Sequence, residues 1–151
     1  MLIRSINQPD NKSLSVILRE VLVEMEIPQK GSAYEDPELD NMYEAYQFPR
    51  SKYFVVEEDE KILGGAGISP LRDGDVNICE LQKMYFHKTL RGRGIGQKLI
   101  EICLDFAKGD LADFWLHHFR KAHQVNDEYD RTFGTFEEAY NKIKSLVEDF
   151  Q

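Results

Sequence analysis

ELQKMYFHKTLRGRGIGQKLIEICLDFAK, residues 80–108, decides the fold. Glu80 to Phe86 reads as a strand, the next residues as a short loop, Arg91 to Gly96 as a glycine-rich turn, and the rest as an amphipathic helix. Helical spacing gathers Leu99, Ile100, Ile102, Cys103, Phe106 and Ala107 into one apolar stripe. Gly92, Gly94 and Gly96 remove side chains where a ligand's oxygens would approach the backbone. The first helical turn keeps free N–H groups and the positive end of the helix dipole, which suits a phosphate or pyrophosphate. Arg91, Arg93 and Lys98 add cationic side chains nearby. The pattern is not a P-loop, because Gln97 follows Gly96 where Lys-Ser/Thr is needed. It also misses the dinucleotide fingerprint, whose third glycine falls one residue later.

Arg91-Gly92-Arg93-Gly94-Ile95-Gly96 resembles the acyl-CoA signature of the GNAT superfamily of N-acyltransferases, Arg/Gln-x-x-Gly-x-Gly/Ala, often written Arg-Gly-x-Gly-Ile-Gly. The preceding strand is similar to that family's central strand, and the following helix to its CoA-binding helix. The resemblance covers residues 1–108 and fades afterwards. It implies a mixed α/β (α+β) fold, a mostly antiparallel sheet flanked by helices, in one domain spanning residues 1–151 whose segment 109–151 is divergent and helical. It also implies acetyl-CoA as acyl donor and an amine as acceptor. The backbone of Met84, Tyr85 and Phe86 would hold the acetyl and pantetheine groups. Arg91, Gly92, Arg93, Gly94, Ile95 and Gly96 would bind the pyrophosphate, and Glu80 would serve as general base, directly or through water. The expected activity is acetyl transfer to a primary amine of a small molecule or peptide. The alternative is a non-catalytic CoA-binding module whose tail is an interaction surface. A homodimer is a further expectation.

The whole chain bounds these readings. Its 151 residues suffice for a real core, and 42% apolar with 30% charged residues is ordinary globular composition. A net charge of −8 argues against a nucleic-acid partner. No apolar run reaches the ~20 residues of a membrane span, and no signal-peptide pattern opens the chain. Cys79 and Cys103 have no metal or redox spacing, so they read as reduced core residues of a cytoplasmic protein.

Along the chain, Leu2 to Ile6 reads as a first strand. Leu14, Ile17, Leu18, Val21, Leu22 and Met25 mark a helix that Pro28 stops. A second helix is expected from Pro37 to about Gln47, with Leu39, Met42, Tyr43 and Tyr46 on one side. By the family resemblance Tyr34, Tyr43 and Tyr46 would line the acceptor site; packing against the sheet is the other reading. Lys52 to Glu57 and Ile62 to Ser69 form a hairpin, and Gly64, Gly65 and Gly67 mark a bulge or a close approach. The central strand is expected from Val76 to Phe86; if regular, its even spacing puts Glu80 and Phe86 on one face.

Beyond Lys108, Gly109 is a C-cap, and Phe114 to Leu116 reads as a strand or Ala112 to Phe119 as a helix. A last amphipathic helix is expected from Phe136 to Phe150. The family's second motif, with its Asn and Tyr, has no match there, and neither Tyr129 nor Tyr140 has the right neighbours for a general acid. A divergent half, an altered reading frame and a truncated end stay open. His117, His118 and His123 lack metal-ligand spacing, so no metal is expected.

Overall fold

A computed structural model describes residues 1–74, 78–108 and 113–115. Strands β1 (Leu2–Ser5), β2 (Lys52–Glu58), β3 (Lys61–Pro70), β4 (Ile78–Phe86) and β5 (Asp113–Trp115) form one sheet in sequence order. The first four are antiparallel, and β5 runs parallel to β4, with Ile78, Cys79 and Glu80 opposite Asp113, Phe114 and Trp115. Of the two readings open for the segment after Ala112, its beginning is therefore a strand. Gly109, the histidines, Tyr129, Tyr140 and the last expected helix lie outside the described residues.

Helix α1 (Asn11–Glu24) covers one face of the sheet, and α3 (Ile95–Lys108) covers the other. On the α3 face Val56, Ala66, Ile68, Cys79 and Leu81 meet Ile95, Leu99, Ile100, Cys103, Leu104 and Ala107. Leu104 belongs to this stripe although the spacing did not include it; Ile102 and Phe106 are only half-buried. On the opposite face Leu14, Leu18 and Leu22 pack with Tyr53, Val55 and Ile62. Each helix buries its apolar stripe because only the sheet can keep those side chains from water.

Helix α1 stops before Pro28 is reached. Glu26 takes a left-handed φ of 57°, and Ile27 N–H donates to Leu22 O at 3.0 Å while Glu26 N–H donates to Val23 O. That is a Schellman reversal with glutamate where glycine is commoner.

The expected second helix is two pieces. A 3₁₀ turn (Pro37–Asp40) and the single turn α2 (Met42–Ala45) are separated by Asn41 at φ −134°. Tertiary bonds fix each piece separately onto α1. Ser15 Oγ donates to Asp40 at 2.6 Å, while the Asn11 amide accepts from Tyr43 N–H at 2.8 Å and donates to Glu44 at 2.6 Å. The apolar side survives the break, since Leu39, Met42 and Tyr46 are buried.

Strands β2 and β3 turn over Asp59 (φ 50°) and Glu60 (φ 62°), both left-handed, as a two-residue hairpin requires to match strand twist. Between β3 and β4 the register slips: Gly65 faces Tyr85, but Gly67 faces Gln82. The extra residue lies on β4, where Lys83 has φ 49°. This bulge inverts the side-chain alternation. Cys79 and Leu81 share the α3 face with Met84 and Phe86, while Tyr85 packs on the α1 face. The regular-strand expectation that Glu80 and Phe86 share a face is therefore corrected: they point to opposite sides.

Candidate active site

The glycine turn is built by its flanks. His87 N–H donates to Leu63 O at 2.9 Å, tying the end of β4 to β3, and buried Leu90 anchors the short 3₁₀ turn that follows. The backbone then runs through Gly92 at φ 69° and Gly94 at φ 70°, conformations that favour glycine. A Cβ added at either would meet no atom within 4 Å, so this face of the turn is open. Gly96 differs: an added Cβ would lie 3.2 Å from Met84 Cε, so its bareness lets α3 settle against β4.

Arg91 and Arg93 are not free cations. Arg91 donates twice to Glu24, both at 2.9 Å, and Arg93 donates to Glu58 at 3.0 and 2.7 Å. They brace the turn against the end of α1 and the β2–β3 hairpin. Arg91 N–H donates to Lys88 O at 3.1 Å and Lys98 N–H to Gly94 O at 3.2 Å, so grip on an anion falls to the amides between them, at the mouth of α3. Open amides beside a 14-residue helix fit a diphosphate.

The bulge on β4 is itself held. The buried Tyr53 hydroxyl donates to Lys83 O at 2.9 Å, and Lys83 Nζ reaches Asp36 at 3.1 Å and Glu38 at 3.0 Å. Burial raises the Tyr53 phenol well above its ordinary range, so it stays a donor. The described β4–β5 ladder ends at Glu80, before Met84, Tyr85 and Phe86, all of which are half-buried.

On the α1 face a second polar chain crosses β4. The Tyr46 hydroxyl donates to Gln82 Oε1 at 3.0 Å, and Gln82 Nε2 donates to Glu80 Oε2 at 2.6 Å. Burial, with help from the carboxylates of Glu38 and Glu80, raises Tyr46 well above the ordinary phenol range. Tyr46 also explains Gly67, because a Cβ there would lie 2.5 Å from the tyrosine ring. The close approach at that glycine comes from the protein itself.

Tyr46 and Gln82 border a cavity of about 620 Å³, together with Glu38, Glu44, Ser51 and Ser69. Glu80 is 7% exposed and lies behind Gln82 rather than on the cavity wall. Of the three tyrosines considered for an acceptor site, only Tyr46 borders this space. Tyr34 packs against Arg19, its ring centroid 5.8 Å from the guanidinium carbon, and Tyr43 packs on the α1-side core. The cavity does not reach the glycine turn. Sequence reading missed Ser51, Ser69 and Glu44; Gln82 carried a signal, as a polar residue in a central strand.

Burial pushes the Cys103 thiol up to about 12, which makes it a poor nucleophile. Among the described residues no cluster of His, Cys, Asp and Glu suits a metal. Nor is any described helix long and apolar enough to cross a membrane.

Comparison with known proteins points the same way. Residues 19–134 match the Acetyltransferase (GNAT) family, a span reaching past the motif into the segment that looked divergent. The uncharacterized N-acetyltransferase YjgM of Escherichia coli (strain K12) is 38% identical over 106 residues, 70% of this chain and 64% of that protein, so the chain spans less than two thirds of this relative. A putative acetyltransferase from Exiguobacterium superposes with a TM-score of 0.68 at 18% identity, covering 93% of this chain and 97% of its own. A putative acetyltransferase from Salmonella typhimurium, solved with acetyl-CoA, gives 0.66 at 20% identity over 82% and 76% of the two chains. At such identities the structures speak for the fold alone. The family match covers most of the sequence: the chain belongs to the acetyltransferase (GNAT) family.

Proposed function

We propose that the protein transfers the acetyl group of acetyl-CoA to a primary amine of a small molecule or peptide, directly and within a ternary complex. The observation that carries this is the open glycine turn at the head of α3, with braced arginines and free space over Gly92 and Gly94. In this reading the turn Arg91 to Gly96 holds the diphosphate through the amides of Gly92 to Gly96, the Arg91 amide being bonded to Lys88 O. The backbone of Met84, Tyr85 and Phe86, past the bulge, holds the pantetheine and acetyl groups by β-like hydrogen bonds, and one N–H there polarises the thioester carbonyl.

The chemistry asks little of side chains. The amine lone pair adds to the thioester carbon, the tetrahedral intermediate expels the CoA thiolate, and the nitrogen loses a proton. A thiolate leaves unaided at a thiol pKa of roughly 8.5. Glu80 sits behind Gln82, so its proposed part is to receive the amine proton through water rather than by contact.

Calorimetry of acetyl-CoA with the wild-type protein and Gly94→Trp tests the donor site. The variant should bind at least about tenfold more weakly, since an indole would fill the open face; equal affinity rejects the assignment. Tight CoA binding with no thiol released for any of a panel of amines would instead favour a CoA-binding module without catalysis.

A further inference from the structure

The two carboxylates on the cavity wall are not equivalent. Glu38 accepts from Lys83 Nζ at 3.0 Å and Arg72 Nη2 at 3.1 Å, so two cations offset it. Glu44 is exposed, and its partner is the neutral Asn11 amide at 2.6 Å. Among the described residues Glu44 forms no ion pair. Four residues on, Phe48 is 70% exposed and lines the same cavity. An exposed ring and an exposed carboxylate lining one cavity each attract an ammonium, the first through its quadrupole and the second through charge. The other wall is different in kind. Tyr46, Ser51, Ser69 and Gln82 offer hydroxyl and amide groups, and Gln82 adjoins the bulge of β4.

We infer that the acceptor is a diamine or polyamine. One amino group lies against Gln82 toward the acyl donor, and a second ammonium sits between the Glu44 carboxylate and the Phe48 ring. This rests on the acyl-transfer reading above and adds a substrate class to it. The bonds change as already described: the near nitrogen gains the acetyl group and loses a proton, CoA leaves as thiolate, and the far ammonium is unchanged. The chain's net charge of −8 assists the approach of such cations.

The test uses three acceptors of equal chain length: cadaverine, n-pentylamine, and the ω-amino acid that carries a carboxylate in place of the second amine. Thiol release from acetyl-CoA is followed for wild type and Glu44→Gln; glutamine keeps an oxygen for the Asn11 amide. Expected, counted per amino group because cadaverine carries two equivalent ones, is a kcat/KM order of cadaverine, pentylamine, amino acid, with the diamine ahead of the monoamine by about fivefold, the upper end for an exposed ion pair. The preference should shrink with added salt and fall toward unity in Glu44→Gln. Equal kcat/KM for diamine and monoamine, or a ratio unchanged in the variant, overturns the inference. Binding of cadaverine to the protein alone is read separately by calorimetry. Binding weakened by Glu44→Gln upholds the cavity assignment, and no binding overturns it. Failure of acetyl-CoA to bind overturns acyl transfer itself while leaving the cadaverine result standing.

Discussion

Glu80 shows what a residue's neighbours add to its identity. As a lone glutamate in a central strand it invites a base role, yet its carboxylate accepts from Gln82, which separates it from the cavity. Glu80→Gln keeps an oxygen for that bond and removes the carboxylate that would accept a proton. If Glu80 takes the amine proton, kcat falls by roughly 10²-fold while acetyl-CoA affinity holds; unchanged kinetics assign the proton to water alone. Gly67 is a simpler case. A methyl group there would lie 2.5 Å from the Tyr46 ring, which is buried and bonded to Gln82. Gly67→Ala should therefore cost about 1–3 kcal/mol by overpacking, measured by chemical denaturation; wild-type stability would show that the ring moves freely.

At the scale of elements, charge pairs rather than propensity hold the short turns to α1. Arg19 donates to both oxygens of Asp40, at 2.6 and 2.9 Å, and Asp40 accepts from Ser15 as well. The guanidinium first, and the hydroxyl second, lower its carboxyl from 3.8 to about 2. Asp10 is lowered likewise, chiefly by Arg4. A carboxyl with a depressed folded pKa binds fewer protons than in the unfolded chain, so its stabilisation is complete above the unfolded value and lost as pH falls. Denaturation midpoints should decline as pH drops from 3.8 toward about 2, and less steeply in Asp40→Asn. Parallel declines in both proteins would remove the pair from acid stability.

These elements also mark where sequence stops being legible. Helices α1 and α3 follow their apolar period because each has one sheet face to cover. The β2–β3 hairpin announces itself by polar residues between apolar runs. The break at Asn41 does not, since the bonds that cause it come from Asn11, some thirty residues earlier. The bulge is likewise hidden. It puts a left-handed φ on lysine, with no glycine to flag it, and its supports are Tyr53, Asp36 and Glu38 from other segments. One unseen bulge moved Phe86 to the face opposite Glu80. The glycine turn was readable because its chemistry is local to six consecutive residues, whereas the cavity assembles residues from three separate stretches of chain.

Across the whole molecule, one sheet separates two tasks. The α3 face supports the turn proposed for the diphosphate, the α1 face supports the cavity proposed for the acceptor, and β4 with its bulge runs between them. Titrating the isotope-labelled protein with acetyl-CoA and following each backbone amide by NMR tests this division most directly. The account predicts saturable shifts largest at Gly92, Gly94, Ile95 and Gly96 and along Met84, Tyr85 and Phe86. Saturable binding that leaves these amides unmoved and shifts others would contradict it.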